Sequence, residues 1–104
     1  MEPVPAKSPS LSIELAEDVA EGVYSNLVMI SHSPEEFILD FIRVMPGVPK
    51  ARVKSRVVVT PGHAKRLLAA LADNIQRYEA QHGDIGEVLP VQPDLQFSGP
   101  SGEA

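Results

Sequence analysis

The sequence predicts an α+β fold: an antiparallel sheet of three to four strands, followed by one long C-terminal amphipathic helix packed on one face of that sheet. Residues 23–60 contain apolar segments separated by Gly and Pro turns, which is typical of strands. Residues 61–82 instead repeat apolar residues at three- and four-residue spacing, which indicates a helix. Since the strands precede the helix, an antiparallel layer is favoured over a parallel sheet.

The composition predicts one globular domain. The chain has 104 residues, of which 43% are apolar and 22% are charged, and this gives room for one modest core. Proline and small polar residues concentrate at both ends, so we expect disordered tails over residues 1–10 and 86–104 around a domain over 11–85. The sequence contains neither a long apolar run nor the start of a secretory signal, so we expect a cytoplasmic protein without a membrane partner.

Residue types that support catalysis are scarce. Cysteine is absent, which excludes disulfides, thiolate metal sites and cysteine nucleophiles. There is no glycine-rich phosphate loop and no nucleophile elbow. His63 and His82 fall near opposite ends of the predicted helix and cannot share a metal ion, while His32 belongs to a polar turn. We therefore expect no enzymatic activity, no cofactor and no metal.

Four segments are candidate strands. Residues 11–15 alternate apolar and polar types, which predicts a short edge strand. Residues 23–31 and 37–42 are separated by a short turn, which predicts an antiparallel hairpin. Residues 52–60 alternate again. One face of this predicted strand consists of Val53, Ser55, Val57 and Val59, and the other consists of Arg52, Lys54, Arg56 and Val58.

The helix has clear boundary signals. Thr60 is a preferred N-cap, Pro61 suits the first helical position, and Gly83 is placed to end the helix. One apolar stripe is predicted between them, formed by Ala64, Leu67, Leu68, Leu71, Ile75 and Tyr78.

One helix can cover only one face of the sheet, so the second face needs a partner. We expect that partner to be another copy of the chain or a different protein. The predicted oligomer face consists of Ile38, Asp40, Ile42 and Val58. Asp40 is the only charge in its apolar strand, and a cross-strand ion pair with a basic residue of the next strand is the favoured explanation over a functional carboxylate.

The charges are segregated along the chain. Although the net charge is −5, seven of the nine basic residues and no acidic residue lie between Phe41 and Ala72. Basic side chains beside a helix N-terminus can bind an anion or nucleic acid. Pairing with the acidic N-terminal half, or with a second copy, is the favoured alternative. The candidate anion or partner site consists of Arg52, Lys54, Arg56, Thr60, His63, Lys65 and Arg66.

Several motifs together resemble one family. They are Gly-Val-Tyr-Ser-Asn at 22–26, Ser-His-Ser at 31–33, Glu-Phe at 36–37, Leu-Asp-Phe at 39–41, Lys-Ser-Arg-Val-Val-Val-Thr-Pro at 54–61, His-Ala-Lys at 63–65, Asn-Ile at 74–75 and Tyr-Glu at 78–79. This combination is similar to the small bacterial and archaeal family called domain of unknown function 3467, and it covers about residues 12–83. That resemblance implies domain boundaries but no activity. The order of strands and helix also resembles SecB-type export chaperones in architecture alone.

The sequence thus predicts a non-catalytic, homo-oligomeric protein-binding or assembly module. Two alternatives stay open: an anion or nucleic-acid binder that uses the basic strand and the helix N-terminus, and a SecB-like holdase.

Overall fold

The computed structural model describes residues 10–86 and residue 88. The predicted tails fall almost wholly outside this part of the chain. The elements follow in the order α1 (Glu17–Ala20), β1 (Leu27–His32), β2 (Phe37–Arg43), β3 (Arg52–Val59) and α2 (Pro61–His82). This arrangement confirms the predicted α+β class.

The three strands form one antiparallel sheet with β2 in the middle. The predicted hairpin between β1 and β2 is confirmed, with Leu39 of β2 opposite Ile30. Its turn is closed by the Ser33 N–H, which donates to the Glu36 carbonyl at 2.9 Å. The Ser33 hydroxyl also accepts a hydrogen bond from the Glu35 N–H at 3.3 Å.

Strand β1 begins at Leu27, four residues later than residues 23–31 predict. The two residues before Leu27 form side-chain hydrogen bonds to β2 and to the residue that follows it. The Asn26 side-chain amide donates to the Val44 carbonyl at 3.0 Å and accepts from the Val44 N–H at 2.8 Å. Ser25 Oγ donates to the Ile42 carbonyl, also at 3.0 Å. Because Asn26 uses both a donor and an acceptor, its side chain continues the ladder as a backbone amide would.

The strand predicted over residues 11–15 is wrong. Residues 11–16 carry no regular structure, and Glu17–Ala20 forms a single helical turn instead. Leu11 and Ile13 are 84% and 88% exposed. Alternation indicates which side chains would share a face, but a strand also needs a hydrogen-bonded neighbour, and within the described chain this segment has none.

Helix α2 begins and ends as predicted. Thr60 is the N-cap and its hydroxyl accepts a hydrogen bond from the His63 N–H at 3.2 Å. Pro61 occupies the first turn. At the other end Gly83 has φ 97°, a backbone conformation that favours glycine, and its N–H donates to the Glu79 carbonyl at 2.9 Å.

The predicted packing of this helix on a face of its own sheet is not found. No residue of α2 is buried, and the extensive contacts between elements are those of β1 with β2 and of β2 with β3. Leu71 and Tyr78, in the middle and near the end of the stripe, are 55% and 52% exposed. Thr60 alone separates β3 from α2, whereas connections between strands and helices that pack together have about 2–6 residues.

The core of the described chain is correspondingly small. Its buried residues are Ile38, Leu39, Asp40 and Ile42, all on the central strand β2. A three-stranded sheet becomes independently stable by packing a face against another layer. Here most of the apolar surface that could form such a layer is still exposed.

The N-cap gives a first test of the fold. Replacing Thr60 with Ala removes the acceptor for the His63 N–H, so we expect the free energy of unfolding to fall by about 1 kcal/mol. Urea unfolding followed by far-UV circular dichroism measures this change. Thr60→Ser keeps the hydroxyl and should lose much less. Equal losses from both variants would mean that the cap does not act through its oxygen.

Candidate interaction surfaces

An ion pair lies at the centre of the sheet. Asp40 is 1% exposed, and the register places it between Met29 of β1 and Arg56 of β3. Arg56 donates from Nε to Oδ1 at 2.6 Å and from a terminal NH2 nitrogen to Oδ2 at 2.9 Å. This two-bond geometry is the strongest form of an arginine–carboxylate contact. The predicted cross-strand partner of Asp40 is thus confirmed, and it is Arg56.

A β-bulge divides the predicted basic stripe of β3. Phe41 pairs with Ser55, but the next residue of β2, Ile42, pairs with Val53. Lys54 is therefore the extra residue without a register partner. Alternation predicts that Arg52 and Arg56 share a face. Because a one-residue shift exchanges the faces of a strand, the bulge places Arg52 on the opposite face from Arg56.

Arg52 instead lies opposite Arg43 of β2. Like charges at directly opposed positions repel each other. The Arg43 guanidinium lies 5.9 Å from the ring centroid of Tyr24, which offers a cation–π contact but no negative charge. Alternation along β3 contains no direct sign of this arginine pair, because the pair depends on the position of the bulge.

Most basic residues lack an acidic partner within the described chain. The ion pairs of that part are Asp40 with Arg56 and Asp73 with Arg77. The expected pairing with the acidic N-terminal half thus holds for Arg56. It does not extend to Lys50, Arg52, Lys54, Lys65 or Arg66, which make no ion pair with residues 10–86.

The predicted anion site is also split in space. Thr60, His63, Lys65 and Arg66 lie at the end of β3, whereas Arg52 lies at its beginning. An eight-residue strand spans about 26 Å at ~3.3 Å per residue. Arg56 lies between the two groups but is bound to Asp40. The structure therefore has two small basic groups instead of one continuous stripe.

The register assigns the apolar residues to two faces. The ion-pair face contains the predicted oligomer residues, since Ile38 pairs with Val58 and flanks Asp40 together with Ile42. Met29 and Leu27 complete it from β1. Ile38 and Ile42 are buried, but Val58 is 51% exposed. This face consists of Leu27, Met29, Ser31, Ile38, Asp40, Ile42, Val53, Arg56 and Val58.

The opposite side, which we call the aromatic face, has no charge at its centre. Its middle row is Ile30, Leu39 and Val57, of which Ile30 and Val57 are 55% and 42% exposed. The full face consists of Val28, Ile30, Phe37, Leu39, Phe41, Val57 and Val59, with His32 and Ser55 at its margins. The arginine pair lies at one end of it.

The histidines of the predicted turn and of the helix end contact aromatic rings. His32 stacks on Phe37 with 5.3 Å between ring centroids, and His82 lies 4.8 Å from Tyr78. These contacts give both imidazoles a packing role. Residues 10–86 contain no group of three metal-ligating side chains, and none of their helices has the length and apolarity needed to cross a membrane.

Comparison with protein-family models gives a match. The model of a family described as protein of unknown function, DUF3467, matches residues 1–87. No curated protein and no solved structure matches the chain. The architectural similarity to SecB-type chaperones therefore gains no support from these comparisons.

The ion pair makes a specific prediction about stability. Arg56→Met leaves the Asp40 carboxylate buried without its guanidinium, so we expect the free energy of unfolding to fall by about 3 kcal/mol at fixed protein concentration. Chemical denaturation measures the change.

Two controls sharpen this test. The double variant Asp40→Leu/Arg56→Met removes both charges and should recover most of the loss. Arg77→Met breaks the exposed pair with Asp73 and should cost about 0.5 kcal/mol or less. A double variant as unstable as Arg56→Met would show that the side chains matter through packing and not through charge.

Proposed function

This chain belongs to the DUF3467 family, whose function is unknown, and we propose that it is a non-catalytic homo-oligomeric protein-binding or assembly module. The observation that carries the proposal is that the core of residues 10–86 is confined to β2, while the apolar stripe of α2 and the outer strands of the sheet keep much of their apolar surface exposed. A second copy can supply the missing layer at equal stoichiometry. A cytoplasmic location stays a prediction.

The exposed apolar stripe of α2 can supply the free energy for association. Its large side chains, Leu67, Leu68, Leu71, Ile75 and Tyr78, are between 38% and 68% exposed. Burying the exposed half of such a side chain contributes about 1 kcal/mol, so the stripe holds roughly 5 kcal/mol per copy as an upper estimate. That amount is comparable to the whole stability of a small domain, about 5–15 kcal/mol. Self-association should therefore be coupled to folding.

Sedimentation velocity at micromolar concentration tests self-association directly. We expect a species of at least twice the 11.2 kDa chain mass, and a melting temperature that rises with protein concentration. Leu71→Lys introduces a charge into the stripe and should dissociate the assembly or unfold the chain. Ala80→Lys, on the opposite side of α2, should leave the mass unchanged. A compact wild-type monomer with concentration-independent melting would contradict the proposal.

The arginine pair favours a second candidate, an anion or nucleic-acid binder. Arg43 and Arg52 lie opposite each other, and neither forms an ion pair within residues 10–86. A phosphate backbone would neutralise both. The net charge of −5 weighs against tight binding by the whole chain. The holdase alternative has no comparable observation and stays a prediction.

Titration with a fluorescent RNA or DNA oligonucleotide at several salt concentrations tests this candidate. We expect affinity to fall steeply as salt rises, with each phosphate contact contributing about 0.9 to the logarithmic slope on duplex DNA. Arg43→Ala/Arg52→Ala should weaken binding and flatten the slope. Arg77→Ala is the control, since that residue pairs with Asp73. Absence of salt-dependent binding by the wild type would rule out nucleic acid.

A further inference from the structure

The junction between β3 and α2 constrains where the helix can go. Val59 ends the strand, Pro61 begins the helix, and Thr60 between them has extended angles of φ −73° and ψ 160°. A helix that covers the sheet from which it emerges must reverse direction, and such connections have about 2–6 residues. Short connections instead favour exchange of an element between copies. The helix here leaves its own sheet with its apolar stripe exposed.

We propose that α2 is exchanged between two copies of this chain, so that each helix covers the aromatic face of the other copy's sheet. The inference rests on the proposed self-association and specifies its surfaces. Exchange also explains why no residue of α2 is buried within one chain. A two-fold axis would make the two helix–sheet contacts equivalent and close the assembly.

The dimensions of the two surfaces agree. From Ala64 to Tyr78 the stripe spans about 21 Å at ~1.5 Å per residue. Strands of six to eight residues span about 20–26 Å. Three strands place the outer two ~10 Å apart, about the diameter of one helix. One helix is thus sufficient to cover the face.

The chemistry of the two faces selects the aromatic one. Its centre is the apolar row Ile30, Leu39 and Val57. The centre of the ion-pair face is Asp40 with Arg56, whose side chain is still 38% exposed. An apolar helix over that face would remove the remaining water from a charged guanidinium, which is unfavourable. The same helix over the aromatic face meets no buried charge.

Charge also selects the direction of the exchanged helix. The aromatic face ends at the arginine pair, Arg43 and Arg52. Lys65 and Arg66 lie near the start of α2, while Glu79 and the negative end of the helix dipole lie near its finish. The favourable direction places the C-terminal half of α2 toward the arginines, antiparallel to β3. The centre of the stripe, at Leu71, then lies over the central row of the sheet.

Because the chain contains no cysteine, introduced thiols can report these contacts. The experiment mixes a mass-labelled Leu71→Cys chain with an unlabelled Val57→Cys chain, refolds them together and adds a short bismaleimide. A linker is used because the Cα atoms of facing layers lie farther apart than the ~6 Å that a disulfide spans. Val58→Cys is the matched control. It is the adjacent valine, it is 51% exposed against 42% for Val57, and it lies on the ion-pair face.

We expect several-fold more cross-linked product between Leu71→Cys and Val57→Cys chains than between Leu71→Cys and Val58→Cys chains. Preferential cross-linking at position 58 would overturn the choice of face. If Val57→Cys does not assemble, Ile30→Cys replaces it at the other end of the same central row.

A Leu71→Cys/Val57→Cys double variant separates exchange from folding back. Exchange predicts cross-linked dimers, whereas a linker closed within a chain of monomer mass would show that α2 covers its own sheet and would overturn the proposal. Sedimentation of the untreated wild type distinguishes self-association from helix exchange. A monomer contradicts self-association itself, while an oligomer without the Leu71–Val57 cross-link contradicts the exchange alone.

Discussion

The bidentate ion pair between Asp40 and Arg56 constrains the whole sheet. A carboxylate that is 1% exposed in the central strand requires a charged partner on the same face, and Arg56 supplies both hydrogen bonds. A slip of one residue between β2 and β3 would move Arg56 to the other face and leave Asp40 buried without it. The register between β2 and β3, and with it the composition of each face, follows from this contact.

Two unlike faces result. One has the ion pair at its centre with aliphatic residues around it, and the other is apolar across its central row. Within residues 10–86 the buried residues all lie on β2, so the sheet is well paired along its ladders while its outer strands are poorly covered. The single chain thus completes the hydrogen bonds between its strands. Much of its apolar surface can be buried only by another layer.

Most of the basic residues are likewise left without an acidic partner within residues 10–86. The acidic N-terminal part and the basic middle of the sequence meet at Asp40 and Arg56, and the other basic residues of β3 and of early α2 form no ion pair within residues 10–86. The bulge at Lys54 places Arg52 across from Arg43 and apart from Arg56. An acidic surface of a second copy and an anionic ligand would both relieve this repulsion, which is why oligonucleotide binding and self-association need separate measurements.

Local signals in the sequence determined the ends of α2, the hairpin and the need of Asp40 for a basic neighbour. Thr60, Pro61 and Gly83 act through their own backbones, and a short turn permits only antiparallel pairing. Tertiary structure alone decided that residues 11–15 have no strand partner in the described part of the chain, that the bulge turns Arg52 to the other face, and that α2 leaves its sheet. Periodicity states which side chains share a face. Which surface meets that face depends on register and connection geometry, and these are properties of the assembled chain.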